Sequence, residues 1–249
     1  MFGEPDYDAI AFGAHPDDVE ISMGGTVAKM TDAGNKVAVI TATEAELGTR
    51  GTRQDRAQEF ARAAAILKVS AFKMLNIPDG QVRSTRENQL KIITEIRTYR
   101  PRIIFVHHRE ARHPDHHHTS LLVQDAVFLA GLPRIETGQA PWRPYKTIYY
   151  ANRYEFQPSF VVDISATFKA KMEAVGAYYS QFSGPKMAEY GTQQTAISHP
   201  AFLDHIEIRS RQYGIYIGST YGEPFFVREN LAIENPVDLF DEKSWYTVP

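Results

Sequence analysis

"DYDAIAFGAHPDDVEISMGG", residues 6–25, is the stretch on which the reading of the fold turns. Ala9–Ala14 is a short apolar run of the kind that forms a strand, and Gly24-Gly25 opens a stretch of helical character. Strand, turn and helix are the parts of a dinucleotide-binding unit, whose G-x-G-x-x-G lets backbone N–H groups approach a pyrophosphate. The crossing here carries His15, Asp17 and Asp18 where that loop has glycines. Two carboxylates repel a phosphate, so the architecture must present something else at this edge. A cation suits the position far better.

Outward from this stretch, apolar runs alternate with helix-period segments. Strands are expected at Lys36–Thr41, Phe72–Leu75 and Arg102–His108, and helices at Gly25–Asp32, Gln54–Leu67, Glu87–Tyr99 and His116–Leu132. Such alternation argues for βαβ units and an α/β fold with a mainly parallel sheet covered on both faces. The second half is less regular. "KTIYYANR" and "SFVVDIS" read as strands, Ser165 as the N-cap of the helix "ATFKAKMEAVGAYY", and "SQFSGPKMAEYGTQQTAISHP" as a long loop. A last helix, "PAFLDHIEIRSRQYG", is expected to end at Gly214 as its C-cap. Neither a repeat nor a linker interrupts the chain, so 1–249 is expected to be a single domain.

Composition narrows the function. The chain has 249 residues, 43% apolar and 23% charged, which suits a soluble protein with a real core. A net charge of −3 argues against nucleic acid as a partner, and no apolar run approaches the roughly 20 residues that span a bilayer. The acidic start MFGEPDYD is unlike a signal peptide, and with zero cysteines a cytoplasmic setting is expected. Any metal must then sit on His, Asp or Glu.

Two clusters share the pattern H-P-D-(D/H), each where a strand passes into a helix. In the first, His15 and Asp18 lie three apart around Pro16; in the second, "REARHPDHHHT", His113 and His116 repeat that spacing around Pro114. Both follow strands that should end at one edge of the sheet, where open α/β folds place their ligands. Two imidazoles and a carboxylate with an open position for water are a catalytic zinc pattern, although the same donors suit non-haem iron. The spare carboxylate Asp17 beside a ligand favours zinc, because it can act as the general base for a metal-activated water. A metal-dependent oxygenase and a non-catalytic metal- or sugar-binding module are the competing classes.

"AHPDDVE" together with "HPDH" resembles the LmbE-like (PIG-L) family of zinc-dependent N-acetylglucosamine deacetylases, and the intervening "PDG" and "QFSG" segments resemble its bacillithiol-biosynthesis branch. The resemblance implies a Rossmann-like three-layer sandwich and hydrolysis of the N-acetyl group of an N-acetylglucosaminide, with N-acetylglucosaminyl malate as the substrate and other N-acetyl amino sugars or glycoconjugates as alternatives. It implies His15, Asp18 and His116 as ligands of Zn²⁺, with Fe²⁺ or another divalent ion possible in its place. Asp17 is implied as the base, with His113 assisting the oxyanion or the leaving amine and Asp115 orienting it. A homo-oligomer is implied as well.

Simpler readings compete at several positions. An N-capping aspartate would explain Asp17 or Asp18 alone, but not the matching second cluster. The resemblance selects His116 over His117 and His118, which a helical turn would send in other directions; His107 and His108 are expected to be supporting or exposed groups. Asp79 in "NIPDGQV" could favour a turn or contact the sugar. The loop "ELGTRGTRQDR" carries Arg50, Arg53 and Arg56, either a solvated charge run or in part a carboxylate clamp. The resemblance pairs Arg56 with Arg112 as substrate contacts.

Overall fold

The computed structural model describes residues 3–239 except 183, 185, 186, 191 and 192. Ser183 of the "QFSG" segment therefore lies outside the described residues. β1 (Tyr7–Gly13), β2 (Val37–Thr41), β3 (Ala71–Met74), β4 (Pro101–His107) and β5 (Lys146–Tyr150) run parallel, each to its neighbour. β7 (Gly222–Phe226) inserts antiparallel between β5 and β6 (Phe160–Asp163), giving the order β3-β2-β1-β4-β5-β7-β6. The chain starts at β1, crosses outward to β2 and β3, and returns to β4 on the other side of β1. The carboxyl ends of β1 and β4 thus flank the switch point where such sheets bind ligands.

Helices cover both faces, and each face has its own core. α1 (Asp18–Asp32), α2 (Arg53–Ile66) and α5 (Phe168–Gly176) lie over one, with Phe60, Phe105 and Tyr178 among the side chains beneath them. α3 (Arg86–Tyr99) and α4 (Pro114–Ala130) pack together over the other, around Phe12, Ile93 and Trp142. β2 reads as an unbroken apolar run because all five of its residues are buried between the two layers. α6 (Ala201–Ile215) packs against β7.

Several boundaries differ from the sequence expectation, each for a local reason. α1 begins seven residues before Gly25 and kinks at Met23, whose φ of −142° breaks the helix. The kink frees the N–H groups of Gly25 and Thr26, and Glu223 accepts both, at 3.1 and 2.7 Å. Lys171 balances that buried carboxylate at 2.6 Å. Gly24 and Gly25 serve packing: a Cβ on Gly25 would lie 2.7 Å from Ile164 Cδ1, and one on Gly24 3.3 Å from Lys171 Cγ. α5 starts at Phe168 with Thr167 at its N-cap, while Ser165 donates to Asp163 instead of capping the helix. Gly214 sits inside α6, not at its end; a Cβ there would come within 2.6 Å of Ser219 O as the chain folds back.

β7 is not among the expected strands, and Pro224 within it cannot donate to a ladder. It is tolerated because the β5 ladder covers only Phe225 and Phe226, leaving Pro224 beside β6 alone.

Glu20, on the buried side of α1, accepts from the Tyr178 hydroxyl at 2.9 Å, yet burial pushes its carboxyl up to about 7. A carboxyl raised in the folded state binds its proton more tightly than in the unfolded chain. Its contribution to stability is therefore full at acid pH and is lost as pH rises through about 7. The loss amounts to roughly 3 kcal/mol, at about 1.4 kcal/mol for each tenfold change in proton affinity. Glu20→Gln should flatten the fall in urea stability of the metal-free protein between pH 5 and 8; an unchanged slope would show that Glu20 does not titrate with folding.

Candidate active site

The turn after β1 is held by its own side chains. Asp18 Oδ2 accepts from the N–H groups of Ala14 (3.0 Å) and His15 (2.8 Å), folding the strand end back over the first turn of α1. Asp17 occupies the N-cap position with φ at 107°, a left-handed conformation disfavoured for a non-glycine residue, and its carboxylate makes no cap hydrogen bond. The N-cap reading of the two aspartates thus fails. Local strain at Asp17 is held by the surrounding contacts and turns its carboxylate toward Arg56.

The two H-P-D clusters meet across the switch point. Asp18 Oδ1 lies 3.1 Å from His116 Nε2, and Asp18 Oδ2 lies 3.5 Å from His15 Nδ1. His15 and His116, which the resemblance implied as ligands together with Asp18, thus each approach one oxygen of Asp18. The other nitrogen of His15 faces Asp79 Oδ1 at 3.1 Å and Asp115 Oδ2 at 3.5 Å. Three overlapping sets of donor atoms result, each within 4.8 Å: His15/His113/His116, Asp18/His107/His116 and His15/Asp79/Asp115. Of these, Asp18/His107/His116 offers two imidazole nitrogens and a carboxylate, donors that fit Zn²⁺ and fit Fe²⁺ as well, and His15 approaches the same Asp18. The arrangement on His15 also fits, since a metal-ligating histidine commonly gives its second N–H to a carboxylate.

The electrostatics separate the adjacent aspartates. Burial opposes ionisation of Asp18, but His116 and His107 outweigh it and hold the carboxyl well below its usual range. Burial raises Asp17 to about 6 against the pull of Arg56, so near pH 7 it is an ionised carboxylate able to take a proton. His113 stands at the exposed N-cap of α4, its ring 4.7 Å from that of His15. Partial burial and the neighbouring His15 and His116 lower its pKa, favouring the neutral ring. Its Nδ1 accepts the Asp115 N–H at 3.2 Å, which leaves the proton of the neutral ring on Nε2.

Three residues have partners that the sequence did not show. The Asp115 carboxylate does not reach His113; it accepts from Gly80 (2.6 Å) and Val82 (3.3 Å) and faces His15, so only its backbone N–H orients His113. Asp79, which lines the cleft, turns one oxygen toward His15 at 3.1 Å and accepts from Leu47 N at 3.0 Å with the other. Arg56 is 3% exposed, with its guanidinium on Asp17 Oδ2 (3.0 Å) and Pro16 O. It holds Asp17, and it also lines the cleft, with Nε and Nη1 unpartnered among the described residues. The neighbouring arginines follow suit: Arg50 donates to Ser180 O and Gln193 O, and Arg53 pairs with Glu44. Arg112 remains exposed at the rim of the cleft, with no ion pair among the described residues.

Two contributors lay outside the sequence pattern. His107, fully buried, places Nε2 3.1 Å from Asp18 Oδ2 and stacks on His116 with centroids 4.3 Å apart. Its donor atom also lies within 4.8 Å of those of Asp18 and His116. Asn152 was passed over within an aromatic stretch, yet its Nδ2 donates to Asp18 Oδ1 at 3.2 Å. The available signal was its position just past the carboxyl end of β5. The whole site opens into a cleft of about 950 Å³ that extends toward α6. No helix among the described residues is long and apolar enough to cross a membrane.

Comparison with known proteins agrees with this geometry. The model of the PIG-L family, GlcNAc-PI de-N-acetylase, matches residues 10–127, a span that contains both H-P-D clusters. The diacetylchitobiose deacetylase of Thermococcus kodakarensis is 34% identical over 180 residues, covering 68% of this chain and 67% of that protein. The solved structure of the conserved protein TT1542 from Thermus thermophilus superposes with a TM-score of 0.81 at 33% identity, covering 92% of this chain and 98% of that one. The N,N'-diacetylchitobiose deacetylase of Pyrococcus horikoshii gives 0.77 at 25% identity, covering 94% and 89%. With its two H-P-D turns joined across the sheet switch point, the chain belongs to the PIG-L family of de-N-acetylases and is a deacetylase, a hydrolase of an N-acetyl amide bond.

Proposed function

We propose that the protein is a zinc-dependent deacetylase of an N-acetylglucosaminide, with His15, Asp18 and His116 as the metal ligands. The observation that carries this reading is the convergence of His116 and His15 on the two oxygens of Asp18, with the raised, buried carboxylate of Asp17 alongside. Zn²⁺ held there would polarise the acetamide carbonyl and bring the pKa of its water to about 7. Asp17 takes the water proton, and Arg56 fixes the direction of its carboxylate. His113 offers its Nε2 proton to the oxyanion and then to the departing amine. Asp79 and Asp115 hold the His15 ring from behind. Acetate and a free amino sugar are the products.

The reading takes 1–249 as one catalytic domain, supported by a single sheet and by a site drawn from both halves of the chain. A homo-oligomer in the cytoplasm belongs to the same reading. For the aglycone, N-acetylglucosaminyl malate is supported by Arg112 at the rim, which makes no ion pair among the described residues, and by Arg56, which lines the cleft while bound to Asp17. The diacetylchitobiose deacetylases among the relatives support a second candidate, an aglycone that is itself an amino sugar.

Acetate release from N-acetylglucosaminyl malate, diacetylchitobiose and free N-acetylglucosamine tests these readings together. The malyl compound should be turned over at least about tenfold faster than the free sugar. Arg112→Ala should remove most of that advantage, and Arg112→Lys should restore only part, because a point charge cannot reproduce the guanidinium fork. Equal rates on the malyl compound and the free sugar remove the malate reading, and a preference for the disaccharide replaces it. No acetate from any of the three would reject the N-acetylglucosaminide assignment.

A further inference from the structure

On the opposite face of the sheet from the catalytic cleft lies a second cavity, of about 230 Å³, lined by His108, Arg109, Tyr149, Phe226 and Arg228. None of these five residues lines the catalytic cleft. Strand alternation creates the separation: His107 and Tyr150 turn to the catalytic face, where they reach Asp18 and Phe12 O, while the neighbouring Tyr149 belongs to the opposite core.

The chemistry of the lining is one-sided. Arg109 and Arg228 are exposed, and neither makes an ion pair among the described residues. The nearby carboxylate of Glu229 is taken by Lys146 at 3.1 Å. Arg228 lies over the Tyr149 ring, 5.3 Å from its centroid. His108 accepts the Glu110 N–H on Nδ1, so a neutral ring carries its proton on Nε2 as a further donor. Tyr149 is 3% exposed and lines the cavity, and its hydroxyl makes no hydrogen bond among the described residues. Guanidinium groups can only donate. The cavity therefore presents donors and positive charge over an aromatic wall of Phe226 and Tyr149, and the nearby carboxylates of Glu110 and Glu229 make no ion pair with either arginine among the described residues. The backbone of Arg109 is itself anchored, since His117 Nδ1 donates to its carbonyl at 2.6 Å.

We propose that this cavity is a binding site for a small oxyanion, a carboxylate or phosphate group, held between Arg109 and Arg228 with the Tyr149 hydroxyl as its third donor. Its volume admits one such group with a short substituent, and it does not admit a sugar chain of the length the catalytic cleft can take. The aromatic wall gives the substituent an apolar face to lie against.

Thermal unfolding of the metal-loaded full chain in sodium phosphate, sodium acetate and sodium chloride at matched ionic strength tests the site. Phosphate or acetate should raise Tm in a saturable way that chloride does not reproduce. The response should vanish in the Arg109→Ala/Arg228→Ala double variant, and Tyr149→Phe should weaken the apparent affinity by about tenfold, as expected for a hydrogen bond to a charged group. Deacetylase turnover of these variants should stay within about twofold of wild type, because none of the three residues touches the catalytic cleft. A stronger response to phosphate assigns a phosphate group, and a stronger response to acetate assigns a carboxylate. An equal Tm shift in wild type and double variant would overturn the proposal and leave anion binding elsewhere. So would a loss of oligomeric state in the double variant with no anion response in the wild type, which assigns the cavity to an acidic side chain of a second copy.

Discussion

Asp17→Asn is expected to keep its metal and lose turnover by about 10²-fold or more, the usual size of a general-base contribution. The amide has the shape of the carboxylate and can still accept from Arg56, so the left-handed turn at φ 107° keeps its contacts. What it cannot do is take a proton. The raised pKa of about 6 adds a second signature: wild-type kcat/KM should fall as pH drops through about 6, where the base becomes protonated. That acid limb should be absent in the variant. Metal content and a pH–rate profile on the same preparations check both points. If Asp17→Asn loses the metal while Asp18→Asn keeps it, the two aspartates have been assigned in reverse.

The second large effect concerns the metal itself. His15→Ala, Asp18→Asn and His116→Ala should each reduce zinc from about one per chain to a small fraction, since a three-ligand site that loses one ligand keeps only two. Asp18 is the most exposed to indirect damage, because its carboxylate also receives the Ala14 and His15 N–H groups and contacts His107 and Asn152. Asparagine keeps an acceptor for those buried N–H groups where alanine would leave them unsatisfied, at a cost of roughly 1–3 kcal/mol each. Asp79→Asn provides a graded comparison. It touches the outer nitrogen of His15, and removing such a support commonly weakens metal affinity by about 10- to 100-fold without abolishing it. Competition with a chromophoric chelator separates the two classes of loss. Normal zinc content in all three ligand variants would sink the site assignment.

Much of the architecture was legible in the residues because it depends on short-range patterns. The fully buried run of β2 and the alternation through α4 require only that apolar side chains leave water on the period of a strand or a helix. The placement of His15, Asp18 and His116 at one edge followed from the same reasoning. Parallel strands that each lead into a helix bring their carboxyl ends together, and both H-P-D turns lie at such ends. Arg56 shows where this reasoning stops. Its sequence neighbours place it near the cleft, but whether a guanidinium faces a substrate or a buried aspartate depends on the folded positions of Pro16, Asp17 and Tyr178. Asp115 and Asp79 likewise take their partners from loops brought together only by folding. Asn152 and the Lys171–Glu223 pair carry no motif, since their partners lie 52 to 198 residues away. Local hydrophobic period and strand-end chemistry thus determined the fold class and the edge that carries the candidate site. The partner of each charged side chain was decided only by the tertiary structure, because a buried charge pairs with whatever the packed chain brings within hydrogen-bond reach.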